Sequence, residues 1–178
     1  MSIAPSEGAI EPARIADLLE AAAATILAEL EALGPEAGWR PGPGEWSANE
    51  CLGHILEAER RGFNGRIRRI LTEDRSALQG WDQVGVAAAR RDHERQPAEL
   101  LAEFLPLRAD SVDLVRSLRP DDLGRTGLHD RVGELAIGEL LGEWVHHDRN
   151  HIRQMLAVTQ ARVWPQMGNA RRFVDPNA

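Results

Sequence analysis

Apolar residues recur at spacings of three and four in four long runs of this chain, with polar residues filling the positions between them. In EPARIADLLEAAAATILAELEALGP the stripe is Ile15, Leu18, Leu19, Ala22, Ile26, Leu30 and Leu33, with Pro12 suited to a first helical turn and Gly34-Pro35 to a stop. The alternating Pro and Gly of GWRPGPGEW cannot continue a helix and predict a loop or turn. SANE then reads as a capping box, in which Ser47 accepts from the Glu50 N–H and the Glu50 carboxylate accepts from the Ser47 N–H. The second helix runs through CLGHILEAERRGFNGRIRRIL, burying Leu52, Ile55, Leu56, Phe63, Ile67 and Ile70, and fades at TEDRSALQGW. A mixed connection over about residues 73–96, containing Trp81, is long enough to predict a crossover. Pro97 opens the third helix, which carries Leu100, Leu101, Phe104, Val112, Val115 and Leu118; Pro106 lacks the N–H of an interior helical bond, so a kink is expected there. The fourth helix spans about 136–161, with Ile137, Leu140, Trp144, Met155 and Val158 as its stripe. Four amphipathic helices and no convincing strand predict an all-α fold, a four-helix bundle with a long crossover connection between helices two and three.

Length and composition narrow the chemistry. With 178 residues, 43% of them hydrophobic, the chain reads as one domain over 1–178 with its core at about 11–161. A formal charge of −7 argues against nucleic acid as a partner, and Arg60, Arg61, Arg66, Arg68 and Arg69 read as a solvated face. The first twenty residues lack a basic segment followed by an apolar one, and no apolar stretch reaches membrane-spanning length without charges; a cytoplasmic protein with no membrane partner is expected. All 21 basic residues are Arg, so Schiff-base chemistry and the Lys-containing phosphate loop are excluded, and the absence of Tyr removes phenolic acid catalysis. No serine lies in G-x-S-x-G. The single Cys51 excludes an intramolecular disulfide and a Cys-rich zinc site, leaving histidine and carboxylate as the ligands of any metal.

WVHHDRNHIRQM, residues 144–155, carries three of the six histidines. His147 and His151 are four apart, which puts both imidazoles on one helical face, inside the stripe that points to the bundle interior. Two imidazoles buried together need a compensating partner, either hydrogen bonds within the core or a divalent cation. With Asp148 beside the first histidine the motif approaches H-E-x-x-H, but a zincin takes its third ligand downstream, and after His151 the chain has no Glu, no His and only Asp175. A third ligand therefore comes from upstream: His54, His93, His129 or the adjacent His146, which projects about 100° away from His147. His54 shares a face with Ser47, Cys51, Ala58, Arg61 and Gly65 at the edge of the apolar stripe, where an ordinary boundary histidine fits as well as a ligand. His93, in RRDHERQ, suits solvent, and His129, in GLHDRVG, suits the mouth of a site.

RPGPGEWSANECLGHILEAER, with its W-S-x-x-E-x-x-x-H pattern, and GLHDRVGELAIGELLGEWVHHDRNHIRQM together resemble the DinB-like family of four-helix-bundle metalloproteins, over nearly the whole chain. The resemblance implies that a histidine of helix two and the H-x-x-x-H pair of the last long helix bind one divalent metal, zinc or nickel. On this chain those ligands are His54, His147 and His151. The chain departs from the family at Ala136, where a threonine often caps the last helix. The resemblance also implies a small-molecule substrate, with a low-molecular-weight thiol among the candidates, and a metal-dependent hydrolase or thiol S-transferase; it assigns no catalytic residue. The alternative is a non-catalytic, metal-stabilised bundle that binds a ligand or partner. Arg61 could steer an anionic substrate or simply face solvent, Glu57 is a candidate base, and Cys51 either approaches the metal or packs a helix. Similar bundles pair through helix faces, and five Trp in a chain without Tyr suggest covered aromatic surface, so a homodimer is expected.

Overall fold

The computed structural model describes residues 11–175; the ends of the expected domain, 1–10 and 176–178, lie outside the described residues. Helix α1 (Pro12–Leu33) packs along α5 (Pro97–Ser117) and α6 (Ile137–Val163). The remaining rod of the bundle is α2 (Ala48–Glu57) continued through a π-helical segment, Ala58–Phe63, into α3 (Asn64–Thr72). The predicted apolar stripes all face inward, in two clusters. One gathers Leu19, Phe63, Ile67, Val115, Leu140 and Trp144, the other Ile26, Leu30, Leu52, Ile55, Phe104 and Met155.

The capping box forms as the sequence predicts: the Glu50 N–H donates to Ser47 Oγ at 3.2 Å and the Ser47 N–H to Glu50 Oε2 at 2.9 Å. At α6 half of such a box survives without a hydroxyl, the Ala136 N–H donating to Glu139 Oε2 at 2.8 Å. Helix α5 runs without interruption across Pro106.

Between α3 and α5 the chain crosses the bundle through β1 (Ala77–Leu78) and the short helix α4 (Gln83–Arg90), whose first turn is capped by Asp82 Oδ1 accepting from the Gly85 N–H at 2.9 Å. Strand β1 pairs parallel with β2 (Thr126–His129), which pairs antiparallel with β3 (Gly133–Ala136), from Thr126 opposite Ala136 to His129 opposite Gly133. Strand β1 has only two residues, and β2 alternates in burial with Gly127 and His129 inward and Leu128 outward, the reverse of an apolar-in pattern, so neither reads as a strand in sequence. Their role is positional: they set His129 beside α3 and feed directly into α6.

The π-helical segment is a second departure from the expected uniform helix. The Asn64 N–H donates to the Glu59 carbonyl, five residues back, and the wider turn closes over Gly65, where a Cβ would fall 2.3 Å from the Arg60 carbonyl oxygen. Glu59 in this segment is itself buried, with Arg108 of α5 and Asp148 of α6, at 0%, 2% and 1% exposure. Arg108 donates to both Glu59 oxygens, to Asp148 Oδ2 at 2.7 Å and to the Leu19 carbonyl at 3.0 Å, so one guanidinium ties all four rods. Burial works against its charge, but Asp148 and Glu59 more than offset that and raise its pKa.

Candidate metal centre

His54 projects from α2, and His147 and His151 from successive turns of α6. Their ring centroids lie 4.4–5.0 Å apart, and one nitrogen of each falls within 4.8 Å of the other two. His54 Nε2 and His147 Nε2 are 3.0 Å apart, close to the about 3.3 Å that separates two ligand nitrogens of a tetrahedral zinc site. The three residues favoured by the family resemblance are thus brought together. The periodicity that put His54 at the edge of a stripe misses its burial, 7% exposed, because the cover comes from elsewhere in the chain: Trp46 before α2 and Trp81 in the crossover lie 5.2 Å and 5.9 Å from its ring.

Neighbours fix the rings. Trp46 stacks on His151 at 6.0 Å, and Phe63, itself stacked on Trp144, meets His147 edge-on at 5.3 Å. His151 Nδ1 is 2.7 Å from Gln154 Oε1, an acceptor, so the proton sits on Nδ1 and the Nε2 lone pair is free for a ligand. The Nδ1 atoms of His54 and His147 are buried with no hydrogen-bond partner among the described residues. Burial, and then the neighbouring imidazole, push the His54 pKa down to about 4; burial and the charges of His151 and His54 push His147 down to about 3. Burial also lowers His151, although Gln154 and Asp148 pull the other way. Near neutral pH the cluster therefore presents three uncharged imidazoles, close enough to share a hydrogen bond between His54 and His147 or to offer lone pairs to one divalent cation.

Among the described residues no fourth His, Cys, Asp or Glu joins the group. Cys51 is fully buried, its thiol pushed up to about 12 by burial and by the charge of Glu50, so it is a packing residue facing Gln154 Oε1 at 3.8 Å. Asp148 turns to Arg108. Glu57 is gripped by Arg60, Arg61 and Arg90; burial would raise its pKa, but Arg61 first and then the other arginines hold it below the usual carboxylate range. Arg61 spends itself on this pair at 2.7 Å and lies 5.8 Å from the Trp81 ring centroid. His146 is exposed, as its position on the helix requires. His93 sits in the turn Asp92–Glu94 between Arg40 and Glu94, outside the cluster. His129 is buried at the end of β2 and lines a cavity that His147 also lines.

Two cavities adjoin at His147. One, of about 640 Å³, is walled by Trp46, His54, His147, His151, Gln154 and Val158; the other, of about 420 Å³, by Phe63, Arg66, Trp81, His129 and Glu143, with His147 and Gln83 common to both. Of the residues the sequence reading missed, Gln154 carries a local signal, its spacing of three from His151. Trp81 carries none, because only the crossover brings it to the site.

Three comparisons bear on the chain. The profile of the DinB superfamily matches residues 18–155. A protein of Oceanobacillus iheyensis named "Putative metal-dependent hydrolase OB0782" is 21% identical over 131 residues, covering 68% of this chain and 69% of that protein. Among solved structures, YfiT from Bacillus subtilis, described as "a probable metal-dependent hydrolase with an unusual four-helix bundle topology", superposes with a TM-score of 0.76 at 19% identity over 89% of each chain. Among the described residues no helix is long and apolar enough to cross a membrane.

Proposed function

This chain belongs to the DinB superfamily, and from that premise we propose that it is a metal-dependent hydrolase of a small molecule, with one divalent ion, zinc or nickel, held by His54, His147 and His151. The observation that carries the reading is the incomplete ligand set: three neutral imidazoles converge from two helices, no fourth protein ligand joins them among the described residues, and cavities open on the remaining side. A structural site closes its fourth position, whereas a catalytic one leaves it for water or substrate. When bound, such an ion lowers the pKa of a water molecule and polarises a substrate carbonyl, or takes up a thiolate.

The chain's own residues prepare the site for that ion. Gln154 holds the His151 ring in the tautomer that offers Nε2. Trp46, Trp81 and Phe63 hold the rings and strip water from around them, which keeps the imidazoles unprotonated. The larger cavity has room for a small organic molecule against Trp46 and Val158. Cys51 is buried as the thiol and is no ready nucleophile, so any sulfur chemistry would bring its thiol with the substrate. The names of the Oceanobacillus and Bacillus relatives support hydrolysis over thiol transfer.

The test is to load the full chain with zinc or nickel and screen small esters, amides and thiol-transfer pairs beside His151→Ala and the metal-free protein. Hydrolysis that needs both the metal and His151 is expected. Turnover only in the thiol-transfer assays would assign the site to the S-transferase reading. Full loading with no turnover anywhere would favour the non-catalytic bundle.

A further inference from the structure

The smaller cavity is shaped by the π-helical segment. On an unbroken α-helix the residues four, seven and eleven after His54, namely Ala58, Arg61 and Gly65, would share its face. The bond from the Asn64 N–H to the Glu59 carbonyl adds one residue to that turn. From there on the phase moves by one, and Gly62 and Arg66 take the places of Arg61 and Gly65: Ala58, Gly62 and Arg66 line the cavity with His147. The arginine that a helical wheel assigns to the site is therefore replaced by another.

Arg66 is unusual in its partners. Nη2 donates to the Gln79 carbonyl at 3.1 Å and lies 2.9 Å from His129 Nε2, while Nδ1 of that ring lies 3.1 Å from both the Arg131 N and Asp130 Oδ1. Among the described residues its buried Nε has no partner and the side chain forms no ion pair; Glu143 and Asp130 act on it only from a distance, and burial lowers its pKa. The more deeply buried guanidinium of Arg108, in contrast, is met by two carboxylates. A partly buried arginine on a cavity wall, with no carboxylate paired to it among the described residues, has the donors and the charge to bind an oxyanion.

We propose that Arg66 is an anion-binding subsite that receives a carboxylate or phosphate group of the substrate while the reacting end of the same molecule lies at the three histidines. The placement of the reacting end rests on the metal-centre reading; the anion site itself does not. The exposed Glu143 on the same cavity limits the subsite to one anionic group.

The experiment titrates full-length, zinc-loaded protein with glutarate, inorganic phosphate and the neutral glutaramide, following the Arg66 Nε–H resonance, assigned by its loss in Arg66→Gln, and measuring affinity by calorimetry. A saturable shift is expected with an anion, with glutaramide roughly tenfold weaker or more. The stronger of glutarate and phosphate identifies the anionic group. Arg66→Gln should bring anion affinity down to the glutaramide level with zinc content unchanged. Glu143→Gln should tighten anion binding. Gly62→Leu, at a position where an added Cβ meets no atom within 4 Å, should fill the cavity and weaken it. The inference is overturned if neither anion gives a saturable shift, or if Arg66→Gln binds them as the parent does. Zinc content is read separately by elemental analysis. Should zinc fail to load, the metal reading falls, and the same titration on metal-free protein still decides for or against the anion subsite.

Discussion

Replacing Arg108 with Met keeps most of the side-chain volume and removes the one cation at the centre of the bundle. In the folded protein Arg108 Nε lies 3.0 Å and 3.1 Å from the two Glu59 oxygens, Nη2 lies 2.9 Å from Oε2, and Nη1 reaches Asp148 Oδ2 at 2.7 Å and the Leu19 carbonyl at 3.0 Å. Without it two carboxylates stay buried with no cation between them. Breaking a buried pair from one side costs about 3–5 kcal/mol, a large share of the about 5–15 kcal/mol by which a domain is stable. Urea unfolding followed by circular dichroism should show a much lower midpoint with an unchanged slope. The loss also depends on pH in a defined direction. Burial already raises the pKa of Glu59 against the pull of Arg108, and removing Arg108 raises it further. The folded variant then binds more protons than the unfolded chain as pH falls, so the destabilisation is smaller at pH 5 than at pH 8. Arg68→Met is the control, since Arg68 pairs with Asp110 at 2.8 Å on the surface and should cost less than about 1 kcal/mol. A cost below about 1 kcal/mol at pH 8 for Arg108→Met, or an equal cost at both pH values, would refute the reasoning.

Gln154→Leu removes the acceptor that orients His151 and should weaken zinc binding by about 10–100-fold with an unchanged circular dichroism spectrum, checked by competition with a chromophoric chelator. Metal-free protein should lose stability as pH falls below about 6.5, because unfolded histidines take up protons there while His54 waits until about 4 and His147 until about 3; the loss attributable to His54 reaches at most about 1.4 kcal/mol per pH unit, and a flat stability between pH 7 and pH 4.5 would count against it. Association into a homodimer is read by light scattering at high micromolar concentration, where the mass of a pair is expected and that of a single chain would end the proposal.

The helices were legible because each buries one face, and the three-and-four spacing of Leu19, Ile55, Val115 or Leu140 records that directly. His147 and His151 were legible for the same reason, being two more positions on an inward stripe. His54 was not legible from spacing, since its burial depends on Trp46 and Trp81, which no periodicity connects to α2; the family resemblance supplied it. The π-helical segment leaves one trace, Gly65, in an otherwise regular pattern, and misreading it exchanges Arg61 for Arg66 at the site. Glu59, Arg108 and Asp148 look like surface charges in sequence because each neutralises the others only across the finished bundle. Most of the tryptophans find cover within the chain, Trp144 fully buried and Trp46 and Trp81 facing histidines, while Trp39 stays exposed beneath Arg162.

The central claim is that His54, His147 and His151 form one metal site, and metal content tests it most directly. Untagged protein, incubated with zinc or nickel and then desalted, should carry about one equivalent per chain by elemental analysis, while His54→Ala, still helical by circular dichroism, loses most of it and His93→Ala keeps it. Less than about a tenth of an equivalent in the parent protein, or equal retention by His54→Ala and His93→Ala, would contradict the account.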